Sequence, residues 1–198
     1  MAERRWLVIM LKQARAGAVK SRLARSVGNV EAARFYRAAS ADLLRRLGRD
    51  PRWRTVLSVT PDSAVLDATW PRDLDRIPQG SGDLGTRMQR IMDRLPPGPA
   101  LIIGSDIPGV SPEHISRAFR RLGTHDAVFG PAEDGGYWLV GLRRRPRVPR
   151  AFAAVRWSSP HALADTLRNL TGLSVGFVGT LYDVDEAADW RRWRRSAG

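Results

Sequence analysis

The sequence predicts one α/β domain of layered type, on three observations. Short apolar runs alternate along the chain with stretches whose apolar residues recur every three and four positions. The length of 198 residues suits one compact domain with a real core. No repeat, low-complexity linker or shift in composition divides the chain, so a single domain is expected over residues 1–198.

The elements follow in order. "RWLVIML" (5–11) is an unbroken apolar run and reads as a buried strand. Basic residues precede it, as in an export signal. The apolar run ends at Leu11, however, and no small-residue cleavage site follows. A loop containing Gly17 leads to a helix expected to begin near Lys20. "VEAARFYRAASADLLRRLG" (30–48) has the spacing of an amphipathic helix. "RTVLSVT" (54–60) is a second strand, stopped by Pro61. "GDLGTRMQRIMDRL" (82–95) opens a helix on Asp83. "PALIIGS" (99–105) is the clearest central strand. "SPEHISRAFRRLG" (111–123) places Ser111 at an N-cap and Pro112 at the first helical position, with Glu113 expected to close a capping box. "HDAVFGPA" and "GGYWLVGLR" form two strands around a turn. A helix near 159–170, a strand at 173–179 and a helix from about Glu186 complete the chain, and the Pro/Arg stretch 143–150 is a surface loop.

Composition removes several function classes. There is no cysteine, which excludes disulfides, thiolate metal sites and thiol catalysis and fits a reducing cytoplasm. No segment approaches 18 apolar residues, so no membrane span is expected. The net charge is +13, which raises the question of nucleic acid. The arginines are spread along the chain in clusters that fit no stacking platform or helix-turn-helix, so a solvated basic surface is the reading preferred to a nucleic-acid partner.

Five segments carry candidate chemistry. "KQARAGAVKSR" (12–22) contains the chain's only lysines, Lys12 and Lys20, around Gly17, with Arg22 behind them. Ligands of open parallel sheets sit beyond the carboxyl ends of strands, where backbone N–H groups and compact cations suit phosphate. A Walker-type loop is absent. In "LIIGSDIPG" the buried strand runs into Asp106, and a carboxylate at that tip needs a cation, a donor or water. Magnesium or manganese, taking carboxylate and phosphate oxygens together, fits. "GPAEDGGYW" sets Glu133, Asp134, Gly135 and Gly136 at a tight turn where a ligand approaches backbone. "QGSGDLGTRM" gives Gln79, Gly85 and Arg87 around a helix start, and "LYDVDEAADW" gives Asp183 and Asp185. Trp138 and Trp157 are placed to flank a sugar or base, and His114, His125 and His161 read as surface residues.

These strings, with "VRWSS", occur in the order seen in a family of bacterial glycosyltransferase-like proteins that the chain resembles from Trp6 to about Trp190. The family belongs to the nucleotide-diphospho-sugar transferase (GT-A) superfamily, some members are labelled arsenosugar-biosynthesis glycosyltransferases, and it is similar to small guanylyltransferases. The resemblance implies a Rossmann-like α/β/α sandwich around a mostly parallel mixed sheet. It implies a nucleotide or nucleotide-sugar donor held by the Lys12–Arg22 arm with Gln79, Gly85 and Arg87, and a small-molecule acceptor near Gly135, Gly136 and Trp157. It also implies a divalent cation (Mg or Mn) on Asp106 and Asp185. As carboxylates do in general-base work, Glu133 or Asp134 is expected to orient or deprotonate an acceptor hydroxyl. Ala14 and Ala16 stand where the family arm has proline. Glycosyl transfer is preferred to nucleotidyl transfer because a "GGxGxR" loop is absent. The reading of another class is an Arg-rich nucleic-acid-binding module on a degenerate transferase fold, which steep salt dependence would reveal.

Overall fold

A computed structural model describes residues 3–196. Seven strands form one sheet: β1 (Trp6–Lys12), β2 (Arg54–Thr60), β3 (Asp75–Pro78), β4 (Ala100–Ile103), β5 (Ala127–Pro131), β6 (Tyr137–Leu142) and β7 (Val175–Phe177). Their order is β3-β2-β1-β4-β6-β5-β7. All pairings are parallel except those made by β6, which runs antiparallel to both β4 and β5. The helices are α1 (Ser21–Val27), α2 (Asn29–Leu47), α3 (Leu84–Arg94), α4 (Pro112–Leu122), α5 (Ala162–Arg168) and α6 (Ala187–Ser196).

The unbroken apolar run of β1 has a structural cause. Leu7, Ile9 and Leu11 pack on one face of the sheet with Leu43, Leu47, Ile115 and Phe119 of α2 and α4. Trp6 and Val8 pack on the other with Met88, Ile91 and Met92 of α3. A strand covered on both faces has no polar side, which is why no alternation is visible in its sequence. The expected α/β/α sandwich is therefore present.

Each expected strand and helix is found, with shifts at the ends. β4 is shorter than 99–105 because Gly104 and Ser105 leave the ladder and carry Asp106 over the sheet edge. β7 and α5 are likewise shorter than expected. Two details are corrected. The capping box of α4 is closed by His114, not Glu113: the Ser111 hydroxyl accepts from the His114 backbone, and the His114 ring accepts from the Ser111 N–H. The reason is register, since Glu113 occupies the second helical position and His114 the third. His114 and His125 are also half-buried rather than surface residues, His114 lying edge-on to Trp138. β3 was not expected at all. Its sequence, "DRIP", is a half-exposed edge strand without an apolar run.

Candidate functional site

The carboxyl ends of β1 and β4 lie side by side, with β2 on the far side of β1. Chain connections leave in opposite directions there, which is the crevice where open α/β sheets bind ligands. A cavity of about 890 Å³ opens at this place. Its walls include Lys12, Lys20 and Arg22 of the arm, Gln79 and Arg87, Asp106, the 134–136 turn, Trp157 and the Asp183–Asp185 loop. Six segments far apart in sequence thus meet at one sheet edge.

The electrostatic centre is a cluster of Asp106, Asp183 and Asp185, whose carboxylate oxygens come within 4.8 Å of one another. Lys20 reaches into it. Its Nζ lies 2.7 Å from Asp106 Oδ2 and 2.6 Å from Asp185 Oδ1, with only 4% of its side chain exposed. Arg22 adds a longer contact of 3.4 Å to Asp185. Burial pulls the Lys20 ammonium down, but the attraction of Asp106 and Asp185 outweighs it and holds the group above its ordinary range. Burial, with the like charges of Asp185 and Asp106, pushes the Asp183 carboxyl up to about 6. Three carboxylates facing essentially one lysine remain short of positive charge. Hard oxygen donors in that state fit a divalent cation.

The local fold explains how Lys20 gets there. It is the N-cap residue of α1 in the left-handed conformation (φ 50°), which a non-glycine residue adopts at a cost. That conformation turns the arm back on the sheet, between the turn at Gly17 and the helix. The arm is also pinned at its start. The Lys12 N–H donates to Tyr36 Oη at 2.8 Å, and Tyr36 bonds Ser105 Oγ at 2.7 Å, one residue before Asp106. The buried Tyr36 thus ties the arm to the end of β4.

The other residues singled out divide in two. Lys12, Arg87, Asp134, Gly136 and Trp157 line the cavity. Gln79 lines it too, but its amide is fully engaged. Nε2 donates to Leu11 and Ser58 carbonyls and Oε1 accepts from Arg87, so it stitches β1 to β2 behind the site. Gly17, Gly85, Gly135 and Glu133 are not among the wall residues. Gly17 supplies a turn with φ 79°. A Cβ at Gly85 would overlap the Phe152 carbonyl, and one at Gly135 the Pro160 carbonyl, so both glycines permit close packing behind the wall. Glu133 is exposed and paired with Arg192 at 2.8 and 3.2 Å. Asp134 Oδ1 accepts from the Gly136 N–H at 2.9 Å and stays on the wall. Trp138 is buried along the wall, with its indole N–H bonded to the Gly179 carbonyl.

Asp183 is the residue that the metal set of Asp106 and Asp185 left out. The signal was present in "DVD": residues two apart in extended chain point the same way.

The 151–160 segment, part of which lines the cavity, is held by a buried carboxylate. Asp165 of α5, 3% exposed, takes a bidentate contact at 2.8 Å from Arg156 together with the Arg156 backbone N–H, and it also pairs with Arg168. This clamp closes the 151–160 loop, in which Ala154 (φ 51°) and Ser158 (φ 57°) adopt left-handed backbone and Trp157 to Pro160 face the cavity.

The profile of a family described as "uncharacterized protein conserved in bacteria (DUF2064)" matches residues 43–159, more than half of the chain. Among solved structures, the chain is similar to a "putative nucleotide-diphospho-sugar transferase" from Desulfovibrio desulfuricans G20. The two are 30% identical with a TM-score of 0.89, over 98% of this chain and 88% of that one. It shares its fold with Rv0371c of Mycobacterium tuberculosis H37Rv, solved in complex with manganese (17% identity, TM-score 0.59, 97% and 98% covered). It also shares it with 4-diphosphocytidyl-2C-methyl-D-erythritol synthase of Anaerococcus prevotii DSM 20548 (10% identity, TM-score 0.65, 98% and 96% covered). No curated protein matches the sequence.

Proposed function

We propose that this chain, which belongs to the DUF2064 family, is a metal-dependent transferase that uses a nucleotide-activated donor, and that it moves a glycosyl group to a small acceptor. The observation carrying this reading is the meeting of a cationic arm and an acidic cluster in one cavity at the sheet's switch point. Lys12, Lys20 and Arg22 would bind the donor's phosphates, Lys20 and Arg22 from the start of α1. Asp106, Asp183 and Asp185 would hold the divalent cation, which when bound supplies charge stabilisation to a departing phosphate. The donor set supports that assignment, being three oxygen ligands with too few cations around them.

The remaining chemistry falls to this chain's own side chains. The Asp134 carboxylate, oriented by the Gly136 N–H, is placed to accept the proton of an acceptor hydroxyl. Glu133, the other candidate, is exposed and pairs with Arg192 on the surface. Trp157 and the clamped loop form the wall against which an acceptor would lie, so that the protein acts mainly by positioning two substrates. A cavity of this volume suits a nucleotide together with the group it carries.

The description of the Desulfovibrio structure supports the glycosyl reading, and the fold shared with the erythritol synthase keeps nucleotidyl transfer as the second. A thermal-shift panel of nucleoside di- and triphosphates and nucleotide sugars, with and without manganese, identifies the donor, because a ligand of the native form raises Tm. Product analysis with that donor then separates the readings: glycosyl transfer releases a nucleoside diphosphate, nucleotidyl transfer pyrophosphate. If no nucleotide raises Tm under either condition, the proposal is wrong.

A further inference from the structure

Lys20 occupies the space between two of the carboxylates assigned to the cation. Its Nζ touches Asp106 Oδ2 and Asp185 Oδ1 at 2.7 and 2.6 Å, and its side chain is almost wholly buried. A divalent cation bound to those same oxygens would sit on top of an ammonium, and like charges at such a separation repel strongly in a half-buried site. Lys20 and the cation therefore exclude each other. Meanwhile the phosphates of a donor, lying over the cavity, offer the ammonium a new partner.

We infer that Lys20 is the resident cation of the free protein, and that the divalent cation is taken up only as nucleotide phosphates draw the lysine out of the Asp106–Asp185 gap. This deepens the transferase reading and rests on it. The arm is built for two positions. Lys20 holds a left-handed backbone without being glycine, and it lies at the head of a two-turn helix; at its other end the arm is anchored through Tyr36. The gap has a reason to be filled before the donor arrives, since an unpaired cluster of carboxylates would repel itself. Arg22 reaches only Asp185 and at greater distance, so it cannot take the lysine's place. The consequence is ordered loading: metal and nucleotide each bind better in the presence of the other, by the same factor.

The test is manganese binding by electron paramagnetic resonance, on wild type and on Lys20→Met, with and without a saturating nucleoside diphosphate. Methionine keeps the buried stem and removes the charge. Wild type is expected to bind manganese about tenfold or more tightly with nucleotide than without it. Lys20→Met is expected to bind manganese without nucleotide about tenfold more tightly than wild type, and to lose most of the coupling. Equal manganese affinity of wild type with and without nucleotide, or weaker manganese binding by nucleotide-free Lys20→Met than by wild type, overturns the inference and leaves the transferase reading standing. Lys20→Gly, which suits the left-handed backbone, serves if the methionine variant does not fold and carries the same expectations. Absence of manganese binding by every form under both conditions removes the metal-dependent transferase reading and this inference together.

Discussion

Two acidic sites, a half-buried cluster in the cavity and a buried carboxylate behind the loop that lines it, have opposite charge balance. Around Asp165, two arginines serve one carboxylate, and every partner is satisfied. The Arg156 hydrogen bonds hold the Asp165 carboxyl well below the ordinary carboxylate range. Around Asp106, Asp183 and Asp185, one buried lysine and an exposed arginine with a longer contact serve three carboxylates, and the Asp183 carboxyl rises to about 6. The first arrangement stabilises a loop and needs nothing further. The second is short of counter-charge, the condition in which a bound cation would be favourable. The two acids are thus shifted in opposite directions, Asp183 upward by burial and like charge and Asp165 downward by its arginine partners.

The comparison breaks most visibly at the clamp. Asp165→Asn removes the charge that gathers Arg156 and Arg168 and leaves the bidentate contact unmade. We expect Tm to fall by about 5 °C or more in a thermal melt, a large shift for a domain of this size. If Tm is unchanged, the clamp does not hold the loop and the contrast fails.

A steric change on the same wall should leave the acidic side alone. At Gly136 the nearest atoms to a Cβ are those of the Asp134 carboxyl, Oδ1 at 3.1 Å, so a side chain there meets no backbone and lies on the cavity wall. Gly136→Val is expected to slow transfer about tenfold, or ~1.4 kcal/mol of barrier, while donor affinity changes less than about twofold. Steady-state kinetics beside donor titration tells the two apart. A parallel loss of donor affinity would place the turn on the donor side.

The smallest effect is expected at Asp183. Its folded carboxyl titrates near 6 against an ordinary 3.8, so between those values the native form keeps a proton that the unfolded form has lost. Stability of the metal-free protein should therefore fall as pH rises through that window and remain lower above it. Asp165 has the opposite sign: its contribution is present above the ordinary carboxylate range and is lost as pH falls below it. Asp183→Asn should flatten the slope between about pH 4 and 6 in the metal-free melt. It should also raise Tm at pH 7 by about 2–4 °C, the shift for ~1 kcal/mol, after allowance for screening of a half-buried group. An unchanged slope would mean that the cluster is not short of cations.

Much of this arrangement was legible in the sequence. "RWLVIML" and "PALIIGS" announce strands buried on both faces, and a polar residue ending such a run, Asp106, announces the sheet edge. The capping signals at Asp83 and Ser111 locate two helix starts to the residue. The two lysines in an arginine-rich chain point to the arm, and Lys20 does meet Asp106 and Asp185. What stayed hidden depends on partners distant in the chain. β3 forms because β2 offers it an edge, not because "DRIP" favours a strand. Gln79 stands in a glycine-rich loop and Gly85 in the first turn of α3, and their surroundings set them against Leu11, Ser58 and Phe152, partners distant in the chain. The clamp of Arg156 on Asp165 was invisible for the same reason, since nothing in either residue's neighbourhood names the other.

Whether Asp106 holds the cation is measured most directly by a calorimetric titration of the nucleotide that the thermal-shift panel selects, with manganese and with chelator, on wild type and on Asp106→Asn. Asparagine keeps the size of the side chain and suits the turn that follows Asp106, so the variant should fold. It removes the charge that a hard cation requires from its ligand. The expected result is that manganese strengthens nucleotide binding to wild type about tenfold or more, that Asp106→Asn loses this enhancement, and that it keeps the weaker binding seen in chelator. Retention of the full manganese enhancement by Asp106→Asn would contradict the account, because the carboxylate at the tip of β4 would then not be holding the cation.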